Sequence, residues 1–105
     1  MIKVDFCGVN RIDIWGRMGE LEVTLPHIPG SEIAGTVVTV DGRSDIQPKD
    51  VVIVAPWVFC GRCRSCRGDN ETLCESGGII GRSTDGGYAE YAVVPSANLI
   101  ALPAP

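Results

Sequence analysis

Four cysteines within fifteen residues constrain the fold of this chain more than any other feature. Cys60, Cys63 and Cys66 are separated by two residues each, and Cys74 follows after seven more. Apolar periodicity is lost around them, and a polar loop of this length needs something other than its own core to stay ordered. Closely spaced thiolates can curl round one ion while a fourth completes a tetrahedron. The spacing therefore predicts one structural zinc ion per chain, held in a cysteine lobe at residues 57–76.

The residues leave two other uses of these cysteines open, namely two disulfides or buried thiols without a metal. An iron–sulfur motif would place its last cysteine after three residues and follow it with proline, whereas Glu75 follows here. A ZnS₄ group carries a formal charge of about −2, which the lobe's arginines could offset if they are not simply solvated. Cys7 has no close partner in the sequence and is predicted to be a small core residue.

Composition limits the classes of protein to which the chain can belong. Its 105 residues are enough for one domain, and 45% of them are hydrophobic, which excludes a disordered tail. A net charge of −4 argues against a general nucleic-acid binder. The sequence contains neither a secretory signal nor an apolar run that could cross a membrane. We therefore expect a cytoplasmic protein with no nucleic-acid or membrane partner.

Short strands joined by turns dominate the expected secondary structure, since the chain has 13 glycines and 7 prolines. A helical turn is predicted at residues 11–15, beginning after Asn10 and ended by Gly16 and Gly19. Five segments have the pattern of strands. They are residues 2–6, 33–41, 51–55, 88–94 and 99–102. The predicted fold is a mainly β, Greek-key or partly open barrel with the cysteine lobe inserted.

Several motifs resemble those of one large family. The stretch CGRCRSC at residues 60–66, continued to Cys74, is similar to the structural-zinc lobe of the medium-chain dehydrogenases/reductases, the superfamily of zinc alcohol dehydrogenases and quinone reductases. PGSEIAG at residues 29–35 and DGGYAEY at residues 85–91 resemble two further family segments. The resemblance implies one GroES-like domain over residues 1–105, a partly open β-barrel with an inserted structural-zinc loop and no Rossmann domain.

The chain departs from the family where the family binds its catalytic zinc. Asn10 stands at the position of a cysteine ligand and Ser31 at that of a histidine ligand, while Ile12 replaces the hydroxyl residue that relays a proton. Amide and hydroxyl groups are poor zinc ligands. This pattern resembles the zinc-independent quinone reductases, which nevertheless usually lack the cysteine lobe. We therefore expect no catalytic and no cofactor-binding residue in this chain, with NAD(P) bound only if a nucleotide-binding domain is supplied elsewhere.

Three further polar residues have both a structural and a functional interpretation. His27 is the only histidine, and a loop residue is favoured over a displaced zinc ligand. Glu32 matches the family residue beside the catalytic zinc, but a hydrogen bond within the strand turn is favoured. Asp13 could pair with Arg11 or Arg17, or could shape a substrate cleft, and the structural use is favoured.

The sequence supports a first functional hypothesis and two rivals. The first is a zinc-binding GroES-like domain of an NAD(P)-dependent alcohol dehydrogenase or quinone oxidoreductase, incomplete for catalysis alone. The alternative is a stand-alone, zinc-stabilised interaction module derived from that family, and a zinc-ribbon nucleic-acid binder is a weaker third. The family places a hairpin before residues 2–6 and a nucleotide domain after the last strand. Without them, an unpaired strand edge and an open cleft predict a homodimer or a covering partner domain.

Overall fold

The computed structural model describes residues 1–103, which form a mainly antiparallel β domain. In chain order the elements are β1 (Ile2–Cys7), α1 (Arg11–Met18), β2 (Ile33–Val37), β3 (Val51–Val54), β4 (Trp57–Val58), α2 (Arg64–Arg67), β5 (Gly78–Ile79), β6 (Tyr91–Ala92) and β7 (Leu99–Ala101). Single 3₁₀ turns lie at Glu71–Leu73 and Ser96–Asn98. The predicted mainly β class is confirmed.

Five strands form one sheet in the order β6-β1-β2-β3-β7, and β4 pairs with β5 in a separate ribbon. All of these strand pairs are antiparallel, and no pairing joins β6 to β7 within residues 1–103, so the sheet is open. One sheet face carries the core. Its buried residues are Ile2, Ile33, Val37, Ile46, Val52, Val54, Ile80, Ala92 and Leu99.

Strand β1 corrects two expectations. Alternation predicted Ile2, Val4 and Phe6 on one face, but the register with β2 shifts between Val4 and Phe6, so Asp5 is an extra, bulged residue. The bulge reverses the facing of the residues after it. Phe6 is therefore 77% exposed, whereas Cys7 packs against the core.

The predicted unpaired edge at residues 2–6 is wrong. Strand β1 lies between β2 and β6, with Ile2 opposite Ala92 and Lys3 opposite Tyr91. The N–H of Val4 continues this contact by donating to the carbonyl of Glu90 at 2.8 Å. The two ends of the sheet are instead β6 and β7.

Helix α1 begins after Asn10, as the sequence predicts, but runs three residues further than residue 15 and ends at Gly19, whose φ of 83° is left-handed. The strands at residues 33–41 and 88–94 are shorter than expected. After Val37 the chain turns away from the sheet, with the N–H of Val38 donating to the carbonyl of Met1. No helix within residues 1–103 is long and apolar enough to cross a membrane.

Candidate metal centre

The base of the cysteine lobe is clamped to the sheet domain. Trp57 pairs with Ile79 and Val58 with Gly78, which brings the two ends of the lobe together. The N–H of Ile80 donates to the carbonyl of Pro56 at 2.9 Å, and the Ile80 side chain is fully buried in the core. The two ends of the lobe therefore lie side by side and are attached to the core of the sheet domain.

Within the lobe, all four cysteine sulfurs lie within 4.8 Å of one another. Tetrahedral zinc with Zn–S bonds of about 2.3 Å places its ligand sulfurs about 3.8 Å apart. The Cys60 and Cys66 sulfurs are 4.0 Å apart, close to that value and far from a disulfide bond. The quartet is the one group of three or more histidine, cysteine, aspartate or glutamate residues arranged for a metal ion within residues 1–103.

Backbone N–H groups point at the sulfurs, which favours the thiolate form that binds metal. The N–H groups of Arg62 and Cys63 approach the Cys60 sulfur at 3.5 and 3.3 Å, and the N–H of Cys60 approaches the Cys74 sulfur at 3.3 Å. Gly61 makes this turn with a φ of 74°, in the left-handed region where glycine carries no Cβ penalty.

These contacts affect the acidity of the thiols. Backbone N–H groups of Arg62 and Cys63 lower the pKa of Cys60, and those of Cys66 and Glu75 lower the pKa of Cys63 to about 6. Burial acts in the other direction and raises the pKa of Cys66 to about 12. A buried thiolate among other sulfurs is costly without a cation, so the donor set fits a divalent, thiophilic metal better than it fits free thiols.

A second polar centre lies around Asp13, a carboxylate that is only 6% exposed. One oxygen of Asp13 accepts the N–H of Gly30 at 2.9 Å, and the other accepts the N–H of Asn10 at 2.9 Å and the hydroxyl of Tyr88 at 3.0 Å. Ser31, also buried, follows Gly30 directly. We call these five residues the Asp13 corner.

Close packing explains the glycine in this corner. Gly30 has a φ of 105°, and a Cβ on it would lie 2.7 Å from the Cys7 sulfur and 2.8 Å from the Tyr88 ring. The N–H of Gly87 donates to the Gly30 carbonyl at 2.9 Å. The corner therefore joins three distant segments of the chain through backbone contacts and one buried charge.

The corner does not suit the metal that the family resemblance implies. Asn10 and Ser31 occupy the two ligand positions and offer only an amide and a hydroxyl, which are weak zinc donors. The Asp13 carboxylate is already engaged by three hydrogen-bond donors. Burial, followed by the nearby charges of Asp13 and Glu32, raises the pKa of Cys7, so the one thiol close to this corner favours its protonated form.

The other polar residues identified in the sequence make structural hydrogen bonds. His27 donates from Nε2 to the Gly81 carbonyl at 2.8 Å, and its Nδ1 lies 3.8 Å from Asp85, so it ties two loops together, in accord with the loop interpretation. At Glu32, the carbonyl rather than the carboxylate makes the hydrogen bond, to the N–H of Gly8. The expected pairing of Asp13 with an arginine is wrong, since its oxygens accept from backbone and Tyr88.

Sequence reasoning missed Tyr88 as a partner of Asp13. The hydroxyl lies 3.0 Å from Asp13 and 3.1 Å from the Gly8 carbonyl, across 75 and 80 residues of chain. A partial signal was available: Asp13 stands three residues after the helix-capping Asn10, the spacing of a capping box. That motif accounts for the Asn10 contact and gives no indication of the long-range ones.

Comparison with known proteins gives one consistent family. The model of the alcohol dehydrogenase GroES-like domain matches residues 1–104. An L-threonine 3-dehydrogenase of Pyrococcus abyssi is 38% identical over 101 residues, which are 94% of this chain and 29% of that protein. An alcohol dehydrogenase of Geobacillus stearothermophilus is 38% identical over 108 residues, covering 98% of this chain and 32% of that protein.

Solved structures agree with the sequence relatives. A thermostable alcohol dehydrogenase from Pyrobaculum aerophilum superposes with a TM-score of 0.91 at 44% identity, covering 99% of this chain and 32% of that one. A structure of such an enzyme with cobalt and zinc bound gives 0.90 at 42% identity, covering 99% and 33%. In each comparison, this chain corresponds to about a third of the relative's length or less.

Proposed function

Because the chain belongs to the family of alcohol dehydrogenase GroES-like domains, we propose that it is the zinc-stabilised domain of an NAD(P)-dependent oxidoreductase of the alcohol dehydrogenase and quinone reductase type. The observation that carries the proposal is the sulfur quartet, arranged as a ligand set inside a fold that the family model covers over residues 1–104. The proposed domain spans residues 1–105, with its zinc lobe at residues 57–76.

In this proposal Cys60, Cys63, Cys66 and Cys74 hold one zinc ion that has a structural role. Four protein ligands leave no open position at which a substrate or water could be activated. The ion supplies folding free energy to a lobe whose own apolar content is small. The lobe arginines at positions 62, 64 and 67 are all exposed, so the charge of the site is balanced mainly by backbone N–H groups and solvent.

The Asp13 corner has no metal role in the proposal. Asp13 holds the backbone at Asn10 and at Gly30, the residue before Ser31. At the family's ligand positions this leaves the side-chain amide of Asn10 and the hydroxyl of Ser31. These neutral groups can donate hydrogen bonds but cannot lower the pKa of a bound alcohol as a metal ion with an open position does. This arrangement favours the zinc-independent branch of the superfamily, and we expect the 105-residue chain to oxidise no simple alcohol.

A nicotinamide nucleotide does not fit the part of the chain that the structure describes. Dinucleotide sites are built on parallel strands whose Gly-rich turns lead into a helix N-terminus. The named strand pairs within residues 1–103 are all antiparallel, and the two α-helices have eight and four residues. In the complete enzyme, NAD(P)H would donate a hydride to a carbonyl or quinone, or NAD(P)+ would accept one from an alcohol, and in this proposal a separate domain holds the nucleotide.

The homodimer remains part of the proposal. Strand β1 is paired on both sides and has no free edge, so the dimer has to rest on another surface. At the β3–β7 end of the sheet, the outer face carries four exposed apolar side chains, Val51, Ile53, Ile100 and Leu102, which we call the outer patch. Ile53 and Ile100 lie directly opposite each other across the β3–β7 pair. A patch of this kind can be buried against a second copy about a two-fold axis.

Light scattering tests the dimer. It should give about 22 kDa, twice the 11.2 kDa of one chain, and Ile53→Lys should shift the particle toward the monomer. Val93→Lys, at a position that is 80% exposed and outside the patch, is the control and should leave the mass unchanged. A wild-type particle of 11.2 kDa over a hundredfold range of concentration would contradict the proposal.

The oxidoreductase assignment is tested against its rival, a stand-alone interaction module, by the intact mass and nucleotide binding of the native gene product. The proposal expects a product longer than 105 residues that binds NAD(P) and reduces a carbonyl or quinone substrate. A native product of 11.2 kDa that binds zinc but no nucleotide would favour the module instead.

The quartet of free cysteines also agrees with the reducing cytoplasm in which we place the protein.

A further inference from the structure

A groove beside helix α1 belongs neither to the cysteine lobe nor to the metal positions of the family. Its volume is about 470 Å³, within the range of roughly 300–1,000 Å³ typical of small-molecule sites. The segment after the helix lines it with the apolar side chains of Leu21, Val23 and Leu25. Arg17, near the end of α1, and Arg82, after the lobe, also line it, and we call it the arginine groove.

The charges of the groove favour an anion. The ion pairs within residues 1–103 are His27–Asp85 and Arg43–Asp45, so neither groove arginine has a carboxylate partner there. Glu22 is the one exposed carboxylate that lines the groove. The remaining acid, Asp13, is buried, and its oxygens already accept three hydrogen bonds. Two arginines and one solvated carboxylate therefore line the groove, beside the buried and hydrogen-bonded Asp13.

The walls of the groove are tied together by hydrogen bonds. His27 donates to the carbonyl of Gly81, the residue before Arg82, at 2.8 Å. The Asp85 carboxylate accepts the N–H of Ile28 at 3.1 Å, and Ile28 in turn accepts the N–H of Gly86. The segment carrying Arg82 is thus fixed against the loop that precedes β2. A preformed site loses less free energy on binding than one that must first be ordered.

We propose that the arginine groove binds a small amphiphilic carboxylate. An apolar chain of about six to ten carbons would lie along Leu21, Val23 and Leu25, and the carboxylate would accept hydrogen bonds from Arg17 and Arg82. Guanidinium groups present several N–H donors in a planar fork that matches a carboxylate. The inference goes beyond the proposed function, because it requires neither zinc nor a nucleotide.

Octanoate, octan-1-ol and hexanoate are the probes, titrated into the full 105-residue chain by calorimetry and by NMR of leucine methyl groups. Octanoate should bind with a stoichiometry of one and at least about fivefold more tightly than octan-1-ol, which lacks the charge. Hexanoate should bind roughly tenfold more weakly than octanoate, because two methylenes are removed from apolar contact. The methyl signals of Leu21 and Leu25 should shift most.

Charge variants give effects of opposite sign. Arg17→Gln and Arg82→Gln should each weaken octanoate binding at least about threefold and leave octan-1-ol binding unchanged. Glu22→Gln should strengthen octanoate binding. Arg11→Gln removes the same charge from the same helix outside the groove and should change little. Zinc content and unfolding midpoint check that each variant is folded.

Three results would overturn the inference. The first is no saturable octanoate binding in the millimolar range. The second is equal affinity for octanoate and octan-1-ol. The third is a loss with Arg11→Gln as large as that with Arg82→Gln, which would indicate a general electrostatic effect rather than a site.

Discussion

The cysteine lobe and the Asp13 corner are both polar centres in a small β domain, but they are held together differently. The lobe gathers its four ligands from fifteen residues of chain, and its contacts are local. The corner gathers Asn10, Gly30 and Tyr88 around one carboxylate, across up to 75 residues. The lobe therefore depends on a cation that its short sequence can bind, whereas the corner depends on the completed fold. Metal removal should therefore destabilise the lobe, whereas single substitutions at Asp13 or its partners should destabilise the corner.

The largest effect should come from the lobe. Cys63→Ser removes one of four ligands, and structural zinc contributes on the order of 10 kcal/mol in small modules, comparable with the whole stability of a domain this size. We expect zinc loss and the disappearance of hydrogen-exchange protection at residues 60–74. Cys7→Ser, the same substitution outside the cluster, should keep both zinc and protection. Full protection of the lobe in Cys63→Ser would show that zinc does not order it.

The next largest effect should come from Asp13→Asn, which keeps the size of the side chain and removes its charge. The amide cannot accept all three hydrogen bonds, and bonds to a charged group contribute about 1.5–3 kcal/mol each. We expect urea unfolding to report a loss of about 2–4 kcal/mol, with zinc content unchanged. Asp41→Asn, at an exposed position, is the control. A loss below about 1 kcal/mol would mean that the corner is not a centre of stability.

Tyr88→Phe should have a smaller effect, about 1.5–2 kcal/mol at neutral pH, because it removes one of the three hydrogen bonds to the charged Asp13. Tyr91→Phe, on the exposed end of the sheet, is the matched control.

The same variant has a pH signature. Burial, followed by the Asp13 hydrogen bond, raises the pKa of Tyr88 to about 12, above the value of about 10 in unfolded chains. The corresponding stability is complete below pH 10 and is lost as the pH rises toward 12. Wild type should therefore lose stability more steeply than Tyr88→Phe above pH 10. Parallel curves would contradict this role of Tyr88.

Glu32→Gln should have the smallest effect. Glu32 is exposed, and its carbonyl rather than its carboxylate makes the local hydrogen bond. We expect a change in stability within about 0.5 kcal/mol and no change in bound metal. A loss of metal in this variant would indicate a second metal site near the corner and would remove the contrast between the two regions.

The two regions also differ in how far the sequence predicts them. Cysteine spacing predicts the lobe because ligands that share an ion must be close, and here closeness in space follows closeness in sequence. Helix α1 was predicted by its cap and by Gly19 for the same local reason. The bulge at Asp5 was not predicted, because the alternation of apolar and polar residues in the sequence does not show where an extra residue is inserted into a strand. The Asp13–Tyr88 contact requires the relative placement of distant segments, which local patterns do not contain.

The most direct test of the account is the metal content of protein purified without chelator in the presence of zinc. The account predicts one zinc per chain in wild type, none in Cys66→Ser, and still one in the double variant Asn10→Ala with Ser31→Ala. Two zinc ions in wild type, with one lost in the double variant, would show that the Asp13 corner binds metal after all. Well under one zinc in wild type, or iron in its place, would contradict the assignment of the cysteine quartet.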